Sequence, residues 1–185
     1  MNEKALFTLR KATLNDVETL EKLIKASATA INADYYSTTE INAALGNAWT
    51  VDVQLINDET YWIVENPECT IVGCGGWSKR KLLFGKSEPS GHVGSDDLLV
   101  PGVDAARIRA FFVHPNHIRK GLGTMLLVKC EEEAMTQGFT TLELVATLSG
   151  KKLYAAKGYV LVKAYDIELG DGVTNAVISM RKEML

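Results

Sequence analysis

One loop constrains this chain more than any other stretch: Arg119-Lys120-Gly121-Leu122-Gly123-Thr124, set between a strand signal and a helix signal. Before it, Arg107-Ile108-Arg109-Ala110-Phe111-Phe112-Val113 has the length of a buried strand, and His114-Pro115 ends the run. After it, Leu122, Met125, Leu126, Cys130 and Ala134 recur at helical spacing, so the loop opens a helix. The first turn of a helix offers N–H groups without partners and the positive end of the dipole, which together hold an anion. Gly121 and Gly123 lack a Cβ, which lets a phosphate approach those amides. Arg119 and Lys120 add positive charge beside them. The loop reads as a seat for a pyrophosphate. A nucleoside-triphosphate loop would place a lysine before Thr124, and Gly123 stands there. A dinucleotide fingerprint would need a third Gly or Ala where Leu126 stands, although Glu143 lies at the distance expected of a ribose partner.

The flanks make the loop more specific. Phe112-Val113-His114-Pro115, then Arg119-Lys120-Gly121-Leu122-Gly123, then Leu153-Tyr154-Ala155-Ala156-Lys157-Gly158-Tyr159 resemble, in order and spacing, the GNAT (Gcn5-related) N-acetyltransferases. The specific part of the resemblance is Ala105–Tyr159, and the whole chain, residues 1–185, is compatible with one such domain. Two positions depart from the family pattern. Ile118 stands where Gln or Arg is usual, with Arg119 one place later, and Thr147 stands where Asn is often found.

Composition leaves a soluble globular protein as the simplest class: 46% of residues are apolar and 23% charged. A net charge of −3 and the lack of a basic stripe argue against a nucleic-acid surface. Lys79-Arg80-Lys81 reads as a solvated loop face. No run of about twenty apolar residues is present to span a membrane, and the amino terminus lacks an apolar signal core, which favours the cytoplasm. Cys69, Cys74 and Cys130 are an odd number without zinc-ligand spacing, so they are expected to be structural and no metal is expected.

Along the chain, Ala5–Arg10 reads as a strand. Thr13 or Asn15 starts a helix whose buried face is Val17, Leu20, Leu23, Ile24 and Ala28. Between Asn32 and Asn57 the pattern breaks into short helical pieces near Thr39–Leu45 and Val51–Ile56, with Tyr35-Tyr36-Ser37 before them. Thr60–Glu65 and Thr70–Trp77 are strands joined by Asn66-Pro67-Glu68. Gly73, Gly75 and Gly76 within the second suggest a bulge or a close backbone neighbour. Lys79–Asp104 is a long loop of the kind that forms lids or binding loops. Asp96-Asp97 within it is either a lure for a cationic acceptor or simply solvated. Glu131-Glu132-Glu133 reads as the wet face of the helix after the glycine loop, with Lys129 and Glu133 able to pair at i,i+4. Gly138-Phe139 ends that helix, Thr141–Ala146 is a strand, and Ser149 caps a short helix that stops at Gly158-Tyr159. Val160–Ile167 and Val173–Met180 form a hairpin about Gly170-Asp171-Gly172.

The elements run β, α-α, β-β-β, α, β, α, β-β, a mixed α+β arrangement. It agrees with what the resemblance implies: a central, mostly antiparallel sheet flanked by helices, with a splayed central strand pair. The resemblance further implies acetyl-CoA as cosubstrate. Its pantetheine arm would lie against backbone of Phe111, Phe112 and Val113, and its pyrophosphate on Arg119, Lys120, Gly121, Leu122, Gly123 and Thr124. In the implied reaction an amine attacks the thioester directly, with a backbone N–H near Phe112 as oxyanion donor. Tyr154 is the candidate acid for the departing thiolate, because a phenol carries a donor hydrogen at neutral pH. The bland alternative is a packing tyrosine. No base is assigned: Arg107 and Arg109 occupy the central strand, and neither Glu143 nor His114 stands out. The expected partners are a small-molecule or peptide amine and, optionally, a second copy in a homodimer, with neither nucleic acid nor membrane. The competing function class is a non-catalytic acetyl-CoA-binding sensor, which an occluded acceptor cleft would favour.

Overall fold

The computed structural model describes residues 7–81 and 97–184. Strand β1 (Thr8–Lys11) passes through a 3-10 turn at Leu14–Asp16 into helix α1 (Val17–Asn32). The entry is fixed by one carboxylate. Asp16 accepts from the Thr13 backbone N–H at 2.7 Å and from the Arg10 guanidinium through two bonds of 2.8 Å. Helices α2 (Thr38–Gly46) and α3 (Val53–Asn57) follow. A capping box of Ser37 and Glu40 opens α2, and the Asp52 side chain caps α3. Then come β2 (Tyr61–Glu65), β3 (Ile71–Ser78), β4 (Ala106–Val113), helix α4 (Leu122–Thr136), β5 (Thr141–Thr147), helix α5 (Lys151–Ala156), β6 (Val160–Gly170) and β7 (Val173–Glu183). This is the order expected from the sequence. Of the first strand as expected, Ala5 and Leu6 lie outside the described residues, as does most of the long loop after β3.

The seven strands make one sheet in the order β1-β2-β3-β4-β5-β7-β6. Every neighbouring pair is antiparallel except β4 and β5, which α4 joins as a crossover and which therefore run parallel. Side chains alternate across the sheet. Tyr61, Ile63 and Cys74 enter the core under α1–α3, whereas Trp62 and Val64 turn toward α4. Leu20, Leu23, Ile24 and Ala28 close the first core as expected, with Val17 packed at its margin. Because both faces are covered, β3 is buried at all eight residues. Its glycines answer to crowding: a Cβ on Gly75 would lie 2.7 Å from the Phe111 ring, and one on Gly76 would lie 2.8 Å from the Thr60 carbonyl oxygen.

Four local expectations are corrected. Glu131 and Glu133 do not face water. Glu131 is buried against the Lys182 ammonium at 2.9 Å, and Glu133 accepts from the indoles of Trp62 and Trp77 and from Lys11. Lys129 consequently does not pair with Glu133, and its ammonium lies 4.8 Å from the centre of the Trp62 ring. Ser149 does not cap α5. Gly150 holds that position, its N–H bonded to Thr147 Oγ1, while Ser149 donates to Asn32 Oδ1 at 2.7 Å. Arg80 is no solvated loop charge, since it grips Asp58 with two bonds of 2.7 Å.

Candidate active site

The site begins with a fault in the sheet. β4 pairs with β5 only at Ala106, Arg107 and Ile108, and beyond them the two strands part. On the other side, Cys74 stands opposite Phe112 while Gly76 stands opposite Arg109, so β4 carries an extra residue there. Ala110 takes up the bulge with φ of 57°, in the left-handed region. Its carbonyl is turned back into the protein, where the Tyr61 hydroxyl lies 3.4 Å away and the Cys74 thiol 3.7 Å. The consequence is a wedge between β4 and β5 whose β4 edge, from Arg109 to Val113, has no strand partner on β5. That edge leaves backbone donors and acceptors of Phe111, Phe112 and Val113 for something other than protein.

A cleft of about 1360 Å³ fills the wedge and continues to the start of α4. Phe111, Phe112, Val113, Arg119, Gly121, Leu122, Gly123 and Thr124 all line it; Lys120 is exposed and lies outside the lining. The loop turns through two left-handed residues, Arg119 at φ 65° and Gly121 at φ 81°. The first internal bond of α4 runs from the Met125 N–H to the Gly121 carbonyl. The N–H groups of Leu122, Gly123 and Thr124 therefore have no intrahelical acceptor. The two loop glycines do different work. A Cβ on Gly121 would meet nothing within 4 Å, so that position needs glycine for its φ and leaves open space before the helix. A Cβ on Gly123 would lie 3.0 Å from Leu153, so that glycine lets α5 pack against α4.

Tyr154 lies on α5 at the wall of the same cleft and is 8% exposed. Its ring meets Phe111 and Tyr159 edge to face at centroid distances of 6.2 and 5.9 Å. Burial, and secondarily the neighbouring Cys130, push its phenol well above the usual tyrosine value, so it holds its proton throughout the neutral range. The helix is positioned from the opposite side of the molecule. Tyr36 Oη accepts from the Leu148 N–H at 2.9 Å and donates to the Ala176 carbonyl, and Asn32 takes Ser149.

Comparison with known proteins decides the family. The model described as the acetyltransferase (GNAT) family matches residues 23–159. The chain belongs to the GNAT acetyltransferase family. Among solved structures, a GCN5-related N-acetyltransferase from Rhodopseudomonas palustris superposes with a TM-score of 0.68 at 19% identity, covering 96% of this chain and 95% of that one. PaiA N-acetyltransferase from Thermoplasma acidophilum, solved with coenzyme A, gives 0.66 at 16% identity over 96% and 98%. YncA from Salmonella typhimurium, a putative acetyltransferase solved with acetyl-CoA, gives 0.62 at 15% identity over 97% and 94%. Among curated proteins no sequence matches. No helix among the described residues is long and apolar enough to cross a membrane.

The half of this GNAT cleft away from the glycine loop holds residues that no local pattern exposes. Arg107 pairs with Glu143 at 2.9 Å, and Arg109, largely buried, pairs with Asp52. All four line the cleft, with Trp49, Tyr35 and Tyr165 around them. Asp52 is remote from β4 in the chain, and its one local signal is as a cap for α3. Of the two acidic loop residues weighed from the sequence, Asp96 lies outside the described residues. Asp97 is exposed, does not line the cleft, and accepts a bond from the Lys81 N–H through its backbone carbonyl. His114 serves the strand-end turn, its Nδ1 accepting from the Asn116 N–H at 3.2 Å.

Proposed function

We propose that the protein is an N-acetyltransferase that moves an acetyl group from acetyl-CoA to an amine by direct attack of the amine on the thioester. The observation that carries this reading is the wedge: an unpaired β4 edge at a bulge that leads without interruption to the free amides at the start of α4. Acetyl-CoA needs backbone partners for the two amides of its pantetheine arm and a seat for its pyrophosphate. The residues present fit both needs, since β4 leaves Phe111–Val113 unpaired toward β5 and the space in front of Gly121 is open. The two loop residues that take left-handed φ, Arg119 and Gly121, sit at that seat, and Lys120 adds charge from outside the lining.

When bound, acetyl-CoA supplies an activated carbonyl and a thiolate leaving group. The chain's own residues do the rest. The backbone N–H near Phe112 is the donor for negative charge growing on the carbonyl oxygen. Tyr154 holds at Oη the proton that the departing sulfur takes, its raised pKa keeping the phenol protonated through the neutral range, and the phenolate recovers a proton from the acetylated nitrogen, which is left as the neutral amide. Glu143 and Asp52 are each committed to an arginine, so neither is assigned as base and the amine enters in its neutral form. The cleft is open past the wedge, which supports turnover over a sensor that binds cofactor without an acceptor.

The test is free-thiol release from acetyl-CoA across a panel of amines, with CoA binding measured separately by the rise in Tm that mass action requires. Amine-dependent thiol release is expected. CoA binding with no amine-dependent release from any member of the panel would overturn the transferase reading and leave the sensor.

A further inference from the structure

The chemistry of the acceptor can be taken further, resting on the transferase reading above. β4 approaches the bulge through Arg107 and Arg109, which stand two residues apart and so share one face of the strand. Both line the acceptor half of the cleft and are mostly enclosed, their side chains 16% and 11% exposed. Arg107 gives Nη1 to Glu143, whereas its Nε is enclosed and, among the described residues, has no hydrogen-bond partner. An enclosed donor left unpaired is unfavourable. The group that satisfies a guanidinium along its Nε edge is a planar anion that accepts two parallel N–H bonds, a carboxylate above all. Lys163, which also lines the cleft, adds a third cation, its ammonium 5.6 Å from the centre of the Tyr165 ring.

We infer that the acceptor is an amine that also carries a carboxylate, which docks on Arg107 while the amine points toward the bulge at Ala110. Three residues of strand separate the two positions, about 10 Å of rise. The amine and the carboxylate therefore stand several bonds apart on one extended small molecule, as they do in an ω-amino acid. Glu143 and Asp52 already offset the charge of the two guanidiniums, so what the carboxylate adds is a partner for the unpaired Nε of Arg107. Glu143 is then a competitor for Arg107 as well as its partner.

The experiment compares matched acceptors: an extended ω-amino acid, its decarboxylated amine and its methyl ester, each with acetyl-CoA. The acid is expected to exceed both analogues in kcat/KM by about 10–100-fold, the range of a lost charged hydrogen bond. Arg107→Gln should raise KM for the acid by a similar factor, erase the preference and leave CoA binding unchanged. Glu143→Gln, which removes the competing carboxylate without emptying the site, should lower that KM; it also guards against a folding defect in the arginine variant. Turnover in which the decarboxylated amine or the ester equals the acid, or a preference that survives Arg107→Gln, would overturn this inference and leave the transferase reading intact. Absence of turnover with every amine, while CoA still binds, would remove the transferase reading and this one with it.

Discussion

A phenol as enclosed as that of Tyr154 gives up its proton reluctantly, and the direction of its shift makes a test. Its ring is held between Phe111 and Tyr159, so Tyr154→Phe keeps the aromatic contacts and removes only the hydroxyl. Loss of a general acid typically costs about 10²–10⁴-fold. The variant should fold, bind CoA as the wild type does and show kcat reduced within that range. Because burial raises the folded pKa, the phenol stays protonated beyond the usual value near 10. The wild-type rate should therefore show no alkaline loss from this group below that pH. Unimpaired kcat in Tyr154→Phe under conditions where chemistry limits the rate would return the residue to packing. The cysteines behave otherwise. Burial pushes the Cys74 thiol up to about 12, and its contact is the bulge carbonyl of Ala110. It is a support for the backbone and no nucleophile.

At the scale of elements, the glycine loop is where backbone conformation and charge can be separated. Gly121 is left-handed and faces open space, so asparagine, which tolerates that region, should be accepted there. Gly121→Asp is nearly the same shape with a negative charge added at the start of α4. The expectation is CoA affinity lower in Gly121→Asp than in Gly121→Asn by about 2–30-fold, at matched stability, the size of an unfavourable charge at a helix terminus. Equal affinities in calorimetric titration would mean that the phosphates sit elsewhere. This loop was legible in the sequence because its signals are local: glycines, basic residues and the start of a 3.6-residue period within a few positions. The order of strands and helices was legible for the same reason. The acceptor half was not. Arg107, Arg109, Asp52 and Glu143 come together only when α3, β4 and β5 are assembled, and a single charged residue gives no sign of its partner. Ser149 misled for a related reason: it looks like a helix cap, and a buried Asn32 from α1 takes its hydroxyl instead.

Across the whole molecule, one carboxylate ties the sheet to the helix that carries the glycine loop. Glu133 on α4 accepts from the indole N–H of Trp62 on β2 at 2.8 Å, from that of Trp77 on β3 at 3.0 Å, and from Lys11 on β1. Trp77 is fully buried, so its donor has no water to turn to if the carboxylate is removed. Glu133→Ala should therefore destabilise the protein by about 2–4 kcal/mol, the cost of stranding these donors, and lower Tm by roughly 5–15 °C for a chain of this size. The sign of the pH effect follows from the folded carboxyl. Burial works to raise its pKa, but the donors of Lys11, Trp62 and Trp77 together outweigh it and hold the group below its ordinary value. Its contribution is thus complete above the unfolded pKa of about 4.3 and is lost as the pH falls through the lower folded value. Urea unfolding of wild type and Glu133→Gln at neutral pH and at successive steps below pH 4 provides the check. The gap in stability between them should be widest near neutrality and close as the wild-type carboxylate takes up its proton. A gap that stays constant down to the acid limit would mean that the charge on Glu133 contributes nothing, and that the two indoles are satisfied equally well by a neutral acceptor.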